Sequence, residues 1–101
     1  MILHSVFFYL KDSCPAETAS NMKADIETRL TNIEQVNDIW AGAPEGVDRD
    51  VVDNEYHMSL HVFFEDIKAL QAYQVDPGHV EFVETYKPYF ERIKVFDTRV
   101  G

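Results

Sequence analysis

The stretch that most constrains the fold is ILHSVFFYL, which runs from Ile2 to Leu10 near the amino terminus. Alternate residues of a strand point to opposite sides of its sheet. One side carries Ile2, His4, Val6, Phe8 and Leu10, and the other carries Leu3, Ser5, Phe7 and Tyr9. Both sides are largely apolar or aromatic, and a strand of this kind is covered on both sides in the folded protein.

The remaining periodic segments predict a first helix, two further strands, a second helical region that is broken in two, and a last strand. Hydrophobic residues make up 46% of the 101 residues, which is typical of a packed globular protein. In chain order, the patterns predict a helix over 16–33, a strand over 36–43, a polar loop over 44–54, a strand over 55–64, a helix over 67–74, a helix over 77–92 and a strand over 94–100. Pro88 should kink or split the last helix, because it lacks the backbone N–H that a helix interior needs.

This order, β-α-β-β-α-β, predicts a single α+β domain over residues 1–101 with a ferredoxin-like fold, in which helices cover one face of a four-stranded antiparallel sheet. The other face would expose Leu3, Phe7, Tyr9, Phe63 and either Phe96 or Val95. Such a patch is large for a monomer. We therefore expect a homodimer whose sheets pack face to face in a barrel-like arrangement, with His57 and His61 at the interface.

The charge balance excludes some classes of partner. The chain has 18 acidic residues and nine Lys or Arg, a net charge of -9. Nucleic acids and anionic membranes bind basic surfaces, so neither partner is expected. No apolar run approaches a membrane span, the amino terminus lacks the features of a signal peptide, and the single cysteine, Cys14, cannot form an internal disulfide. These features predict a cytoplasmic location.

The segment YQVDPGHVEF, from Tyr73 to Phe82, contains the most suggestive polar residues. Asp76 is expected to cap a helix that has Pro77 at its first position. His79 is then the third helical residue, where the positive helix end and apolar surroundings should lower its pKa. A neutral imidazole is a competent general base near pH 7, and Tyr73 could orient it or bind a developing oxyanion. No motif for a metal or a cofactor is present, and none is expected.

Several landmarks together resemble the stress-responsive dimeric α+β barrel (Dabb) family. They are the opening strand ILHSVFFYLK, the Trp-Ala-Gly of residues 40–42, the strand EYHMSLHVFFED, the segment LQAYQVDPGHVEFVETYKPYFERI and a final VFD. The resemblance covers essentially the whole chain. It implies a ferredoxin-like protomer and a homodimeric barrel, in agreement with the argument from the first strand.

The resemblance also implies a site. In a cofactor-free polyketide cyclase of the family, residues at the positions of Tyr73 and His79 act as the catalytic pair at the mouth of a pocket between sheet and helices. The implied ligand-binding residues are His4, Val6, Phe8, Met22, Ile26, Met58, Leu60, Phe82 and Tyr86. That cyclase has a tyrosine where this chain has Ile26 and a histidine where it has Met58. The pocket should therefore be more apolar, and a different substrate is expected.

Three functions remain open from the sequence. The first is a homodimeric, stress-related protein with a pocket for a small apolar ligand and no chemistry, in which His79 only holds the helix entry. The second is a cofactor-free enzyme, similar to a polyketide cyclase or lyase, with His79 as base acting on an apolar carbonyl or phenolic compound. The third is a cofactor-independent oxygenase of related fold. An apolar cavity beneath His79 would favour the second function over the first.

Overall fold

The computed structural model describes residues 1–101, which form one four-stranded sheet with helices on one face. The elements are β1 (Ile2–Leu10), α1 (Thr18–Thr28), β2 (Asp38–Gly42), β3 (Met58–Phe64), α2 (Ile67–Val75), α3 (Pro77–Tyr86) and β4 (Phe90–Arg99). Short 3-10 helices follow α1, over Leu30–Asn32, and α3, over Lys87–Tyr89. None of the helices has the length and hydropathy needed to cross a bilayer.

The strand order is β2-β3-β1-β4, and every neighbouring pair is antiparallel. The central strand β1 therefore lies between β3 and β4. His4 pairs with Val62 on one side and with Asp97 on the other. This arrangement confirms the predicted ferredoxin-like α+β fold.

The core lies between the sheet and the helices, as the alternation in β1 predicts. The largest fully buried side chains are Tyr73, Phe64, Met22, Ile26, Leu30 and Val62. Two polar contacts hold α3 against α1: Arg29 Nη2 lies 2.6 Å from Glu81 Oε1, and the hydroxyl of Tyr86 donates to Asp25. These contacts fix the position of the helix that carries His79.

The predicted cap at Asp76 is confirmed, and Asp66 caps α2 in the same way. The carboxylate of Asp66 accepts a hydrogen bond from the backbone N–H of Ala69 at 2.9 Å, at the start of α2. The carboxylate of Asp76 accepts from the N–H of Gly78 at 2.8 Å, at the start of α3. Each cap satisfies a donor that the first helical turn leaves free.

The prediction that the last helix continues to Arg92 is wrong. Helix α3 ends at Tyr86, and β4 begins at Phe90 rather than at Lys94. Pro88 has no N–H to continue the helical ladder, so the chain leaves the helix through one 3-10 turn. Phe90 then pairs with Leu10. Phe90, which lies within the predicted helix, is therefore a strand residue, as is Ile93.

Other boundaries are shorter than predicted. Helix α1 starts at Thr18 and ends at Thr28, and β2 spans only five residues. Strand β3 begins at Met58 rather than at residue 55. Because Tyr56 precedes the strand, it does not share the face of Met58, and its ring lies 5.0 Å from that of Phe7. The extended loop before β3 thus packs across the end of the helix-free face.

That helix-free face, called the open face below, carries Leu3, Ser5, Phe7, Tyr9, Trp40, Ser59, His61, Phe63 and Phe96. Trp40 and Phe96 are 53% and 57% exposed. Phe96 pairs with Ser5 and belongs to this face, whereas Val95 pairs with Val6 and belongs to the helix side. His61 bonds the hydroxyls of Ser5 and Ser59 through its two ring nitrogens, at 3.0 and 3.1 Å.

Candidate functional site

A cavity of about 180 Å³ lies between α3 and the strands β1 and β4. Its walls are formed by His4, Val6, Phe8, Leu60, Gln74, His79, Phe82, Val83, Phe90, Ile93 and Val95. Eight of these eleven residues are hydrophobic. Strand β4 is an edge strand that the helices do not cover, so Ile93 and Val95 remain partly exposed and form the rim of the cavity.

His79 lies on the helix wall of this cavity. It is the third residue of α3, where the cap at Asp76 places it. Its Nδ1 lies 3.0 Å from the backbone oxygen of Gln74. A carbonyl oxygen only accepts hydrogen bonds, so Nδ1 carries a proton and donates it. In the neutral ring, Nε2 therefore keeps its lone pair and can accept a proton.

The pKa of His79 is lowered, as expected, and burial is the largest cause. The charge that His4 carries when protonated lowers it further, while the carbonyl of Gln74 and the carboxylate of Asp76 raise it. The expected direction is thus confirmed, but the apolar surroundings contribute most. Since the ordinary value is 6.5, the ring is neutral at pH 7.

Tyr73 lies directly against His79, with 4.5 Å between the two ring centroids. Its side chain is fully buried, and its hydroxyl has no hydrogen-bond partner. Burial also raises the pKa of the phenol, so the hydroxyl stays protonated and remains a donor. A buried donor without a partner costs free energy in the folded protein. Tyr73 contacts His79 but is not among the residues that line the cavity.

His4 lies on the wall of the cavity and is hydrogen-bonded to Asp97, a residue that was not predicted as part of the site. His4 is buried, and its Nδ1 lies 2.5 Å from Oδ1 of Asp97. The two residues are directly opposite each other in the pairing of β1 with β4. The only signal in the sequence was the aspartate of the VFD segment, and the strand register was needed to place it beside His4.

The structure brings together only part of the predicted ligand-binding set. His4, Val6, Phe8, Leu60, Phe82 and His79 line the cavity. Met22, Ile26 and Met58 are buried in the core and do not line it. Tyr86 also lies outside the wall, with its hydroxyl directed to Asp25.

Five lining residues, Gln74, Val83, Phe90, Ile93 and Val95, lie outside the ligand-binding set given above. Ile93 was missed because the start of β4 was placed too late, and Val95 because the sequence did not determine whether it or Phe96 lies on the helix side. Gln74 lies near the end of α2, and its backbone carbonyl accepts the hydrogen bond from Nδ1 of His79.

A larger groove of about 530 Å³ lies at the ends of β1 and β4, but it has a different character. Its lining includes exposed residues such as Met1, Glu65 and Arg99, and no histidine or buried polar group. No group of three His, Cys, Asp or Glu side chains is placed to hold a metal ion. The cavity beside His79 is therefore the site that combines histidines with a mainly apolar lining.

Comparison with known proteins agrees with this architecture. Olivetolic acid cyclase from Cannabis sativa is 28% identical over 96 residues, which cover 95% of this chain and 93% of that protein. A dimeric ferredoxin-like protein of unknown function from Thermobifida fusca is 15% identical, with a TM-score of 0.83 over 98% of this chain and 90% of that chain.

Hydroxynitrile lyase from Passiflora edulis is 17% identical, with a TM-score of 0.81 over 99% of this chain and 93% of that chain. At such identities, the two structural likenesses show a shared fold only. The family model for the stress responsive A/B barrel domain matches residues 2–100. The chain therefore belongs to the stress responsive A/B barrel domain family.

Proposed function

We propose that this protein is a homodimeric A/B barrel protein that binds a small apolar carbonyl or phenolic compound and transfers a proton to and from it without a cofactor. The observation that carries the proposal is His79. Its Nδ1 is held by the Gln74 carbonyl, its Nε2 keeps a lone pair, and its ring lines an apolar cavity. Two proteins of similar sequence or fold are named as a cyclase and a lyase, and both names denote enzymes.

In the proposed reaction, Nε2 of His79 accepts a proton from an acidic C–H or from a phenolic O–H. For a carbonyl substrate, the electron pair of the broken C–H bond moves toward the carbonyl and forms an enolate. The imidazolium keeps the accepted proton on Nε2 and returns it to carbon or oxygen when the product forms. No oxidant or reductant is needed, so the step balances with the substrate alone.

Tyr73 is a positioning residue in this proposal. Its ring packs against the imidazole and limits how that ring can turn. Its hydroxyl is buried and Tyr73 does not line the cavity, so it acts through His79 and not on the substrate. The lowered pKa of His79 supports the same mechanism, because a base must be unprotonated at the working pH.

Exchange of α-protons of cyclohexanone in D₂O, followed by ¹H NMR, tests the proposal. We expect the wild-type chain to accelerate exchange and His79→Gln to lose about 100-fold or more of that acceleration. His57→Gln is the matched control, since His57 is exposed and lies outside the cavity. Equal acceleration by the wild type and the His79 variant would show that His79 is not the base.

Binding without chemistry is the second candidate, and one observation favours it. The resemblance implied that Met58 and Ile26 line the pocket, but both are apolar and buried in the core. A cavity that binds cyclohexanone without any exchange above the buffer rate would support this candidate instead.

The homodimer is proposed through the open face. Trp40 and Phe96 leave more than half of their surfaces accessible, next to the partly buried Leu3, Phe7 and Phe63. A second copy of the same face would cover these side chains. The similar protein from Thermobifida fusca is described as dimeric, which supports the proposal.

A further inference from the structure

We infer that the ligand of the cavity is an uncharged molecule of about one substituted ring, bearing a single hydroxyl or carbonyl oxygen. This inference rests on the proposed function of the same site and names its substrate class. It has two separable parts, a limit on size and a requirement for neutrality. Each part follows from a different feature of the wall.

The size limit follows from the volume. An engineered protein cavity of about 150 Å³ binds benzene. The cavity here is about 180 Å³, so about 30 Å³ remains beyond one ring, which is roughly the share of one water molecule in the liquid. The space therefore admits a ring with one or two substituent atoms.

The inner wall offers no room for a longer chain. Val6, Phe8, Leu60 and Phe82 are all buried in the core as well as lining the cavity. Close packing in protein cores makes it costly to displace such side chains. An alkyl chain on the ring could extend only outward.

Outward extension is also unfavourable. A second space of about 170 Å³ adjoins the cavity and shares Gln74, His79 and Val83 with it. Its other lining residues are the exposed Val80 and Glu84. A chain that left the cavity here would lie beside a carboxylate and in contact with water, where apolar surface gains little.

The requirement for neutrality follows from the charges around the site. No Lys or Arg lines the cavity, and the carboxylates of Asp97 and Glu84 lie beside it. The whole chain carries a net charge of -9. An anionic ligand would lose its hydration without gaining a partner cation, so carboxylates and phosphates should bind poorly.

The polar atom of the ligand has a hydrogen-bonding partner on the wall in Nε2 of neutral His79, which accepts. A hydroxyl satisfies it, since a hydroxyl donates one hydrogen bond and accepts others. A carbonyl compound instead places an adjacent C–H against Nε2.

Ligand-detected NMR titration of the full chain with four probes tests both parts. Phenol and benzyl alcohol fit the proposed class, benzoate has similar size but carries a negative charge, and 4-pentylphenol adds an alkyl chain. We expect phenol and benzyl alcohol to bind at least 10-fold more tightly than benzoate, and 4-pentylphenol to bind no more tightly than phenol. Tighter binding of 4-pentylphenol than of phenol would overturn the size limit, and equal binding of benzoate would overturn neutrality.

Two filling variants locate the binding. Val83→Phe adds bulk from the helix, and Ile93→Trp adds bulk at the exposed rim on β4, where the core is not disturbed. Each should weaken phenol binding at least 10-fold, while Val75→Phe, at a residue of α2 that is 75% exposed, should leave it unchanged. Unchanged phenol binding in both filling variants, or no binding of any neutral probe to the wild type, would overturn the inference.

These results are distinguishable from the test of the proposed function. If phenol binds in the cavity but His79 accelerates no proton exchange, the ligand class stands and the catalytic proposal fails. If exchange depends on His79 but 4-pentylphenol is the preferred ligand, the catalytic proposal stands and the size limit fails.

Discussion

The phenol ring of Tyr73 packs 4.5 Å from the imidazole of His79, yet the hydroxyl of that fully buried tyrosine bonds to no protein group. An unsatisfied buried donor weakens the folded state. The ring of the same residue packs against the candidate base. Removing the hydroxyl alone should therefore change stability while leaving the position of His79 intact.

Tyr73→Phe should leave the free energy of unfolding unchanged or raise it by about 1 kcal/mol, because the variant removes an unsatisfied buried polar atom. The exchange of cyclohexanone protons should stay close to the wild-type rate, because the phenyl ring still packs against His79. Urea denaturation and ¹H NMR measure the two quantities. A clear loss of stability would mean that the hydroxyl is satisfied in solution.

Asp76→Ala should cost about 1 kcal/mol of stability, because the N–H of Gly78 loses its cap. It should also slow proton exchange, since His79 lies in the turn that the cap holds. Asp66→Ala is the matched control, because it removes the cap of α2 and leaves the N–H of Ala69 without its acceptor. We expect similar losses of stability for the two variants and a loss of exchange for Asp76→Ala alone.

Asp97→Ala should destabilise the fold by about 1–2 kcal/mol, because buried His4 would lose its hydrogen-bond partner. Asp38→Ala is the control, since Asp38 is an exposed aspartate on the other edge strand. Urea denaturation curves of both variants give the comparison. Equal stabilities would indicate that water replaces Asp97 at no cost.

Acid should destabilise the protein through two histidines. Burial lowers the pKa of His61 and is the largest cause of the lowered pKa of His79, from an ordinary value of 6.5. Below about 6.5 the unfolded chain then binds more protons than the folded chain, so the free energy of unfolding falls as the pH decreases toward the folded pKa values. Above that pH these two groups contribute a constant stability.

Urea denaturation between pH 7.5 and 5 measures this dependence. His61→Asn and His79→Gln should each flatten the curve below pH 6.5. The same reasoning predicts that the rate of cyclohexanone exchange falls with acid only below pH 6.5, since His79 must be neutral to act. A fall that begins above pH 6.5 would contradict the lowered pKa of His79.

Trp40→Glu and Phe96→Glu should convert the proposed dimer to monomers, because each places a carboxylate in the apolar open face. Val75→Glu adds the same charge at an exposed position of α2, away from the open face, and should leave the assembly intact. Analytical ultracentrifugation distinguishes the species. A wild-type monomer at high concentration would refute the proposed interface.

The periodic parts of the fold were predictable because local patterns determine them. The two apolar sides of β1 predicted both a covered helix side and an open face, and the Asp-Pro pair predicted the start of α3. Pro88 was ambiguous, since a kinked helix and a terminated helix satisfy the same local constraint. Only the pairing of Phe90 with Leu10 distinguishes them.

The candidate site was less predictable because it depends on register and packing. Placing Asp97 beside His4 requires the alignment of two strands at opposite ends of the chain. The exclusion of Met22, Ile26 and Met58 from the cavity wall depends on how side chains fill the core. Alternation along a strand shows the side of the sheet on which a residue lies, but not whether it faces another side chain or an empty space.

The pairing of β1 with β4 also has a consequence for the folding pathway. His4 and Asp97 are 93 positions apart, so their contact closes nearly the whole chain into one loop. Closing a long loop is entropically costly, and topologies with many such distant pairings fold slowly. The cavity wall cannot exist in any intermediate in which the last strand is undocked. Binding of a small probe would therefore report the docking of the last strand, which the formation of helices alone does not show.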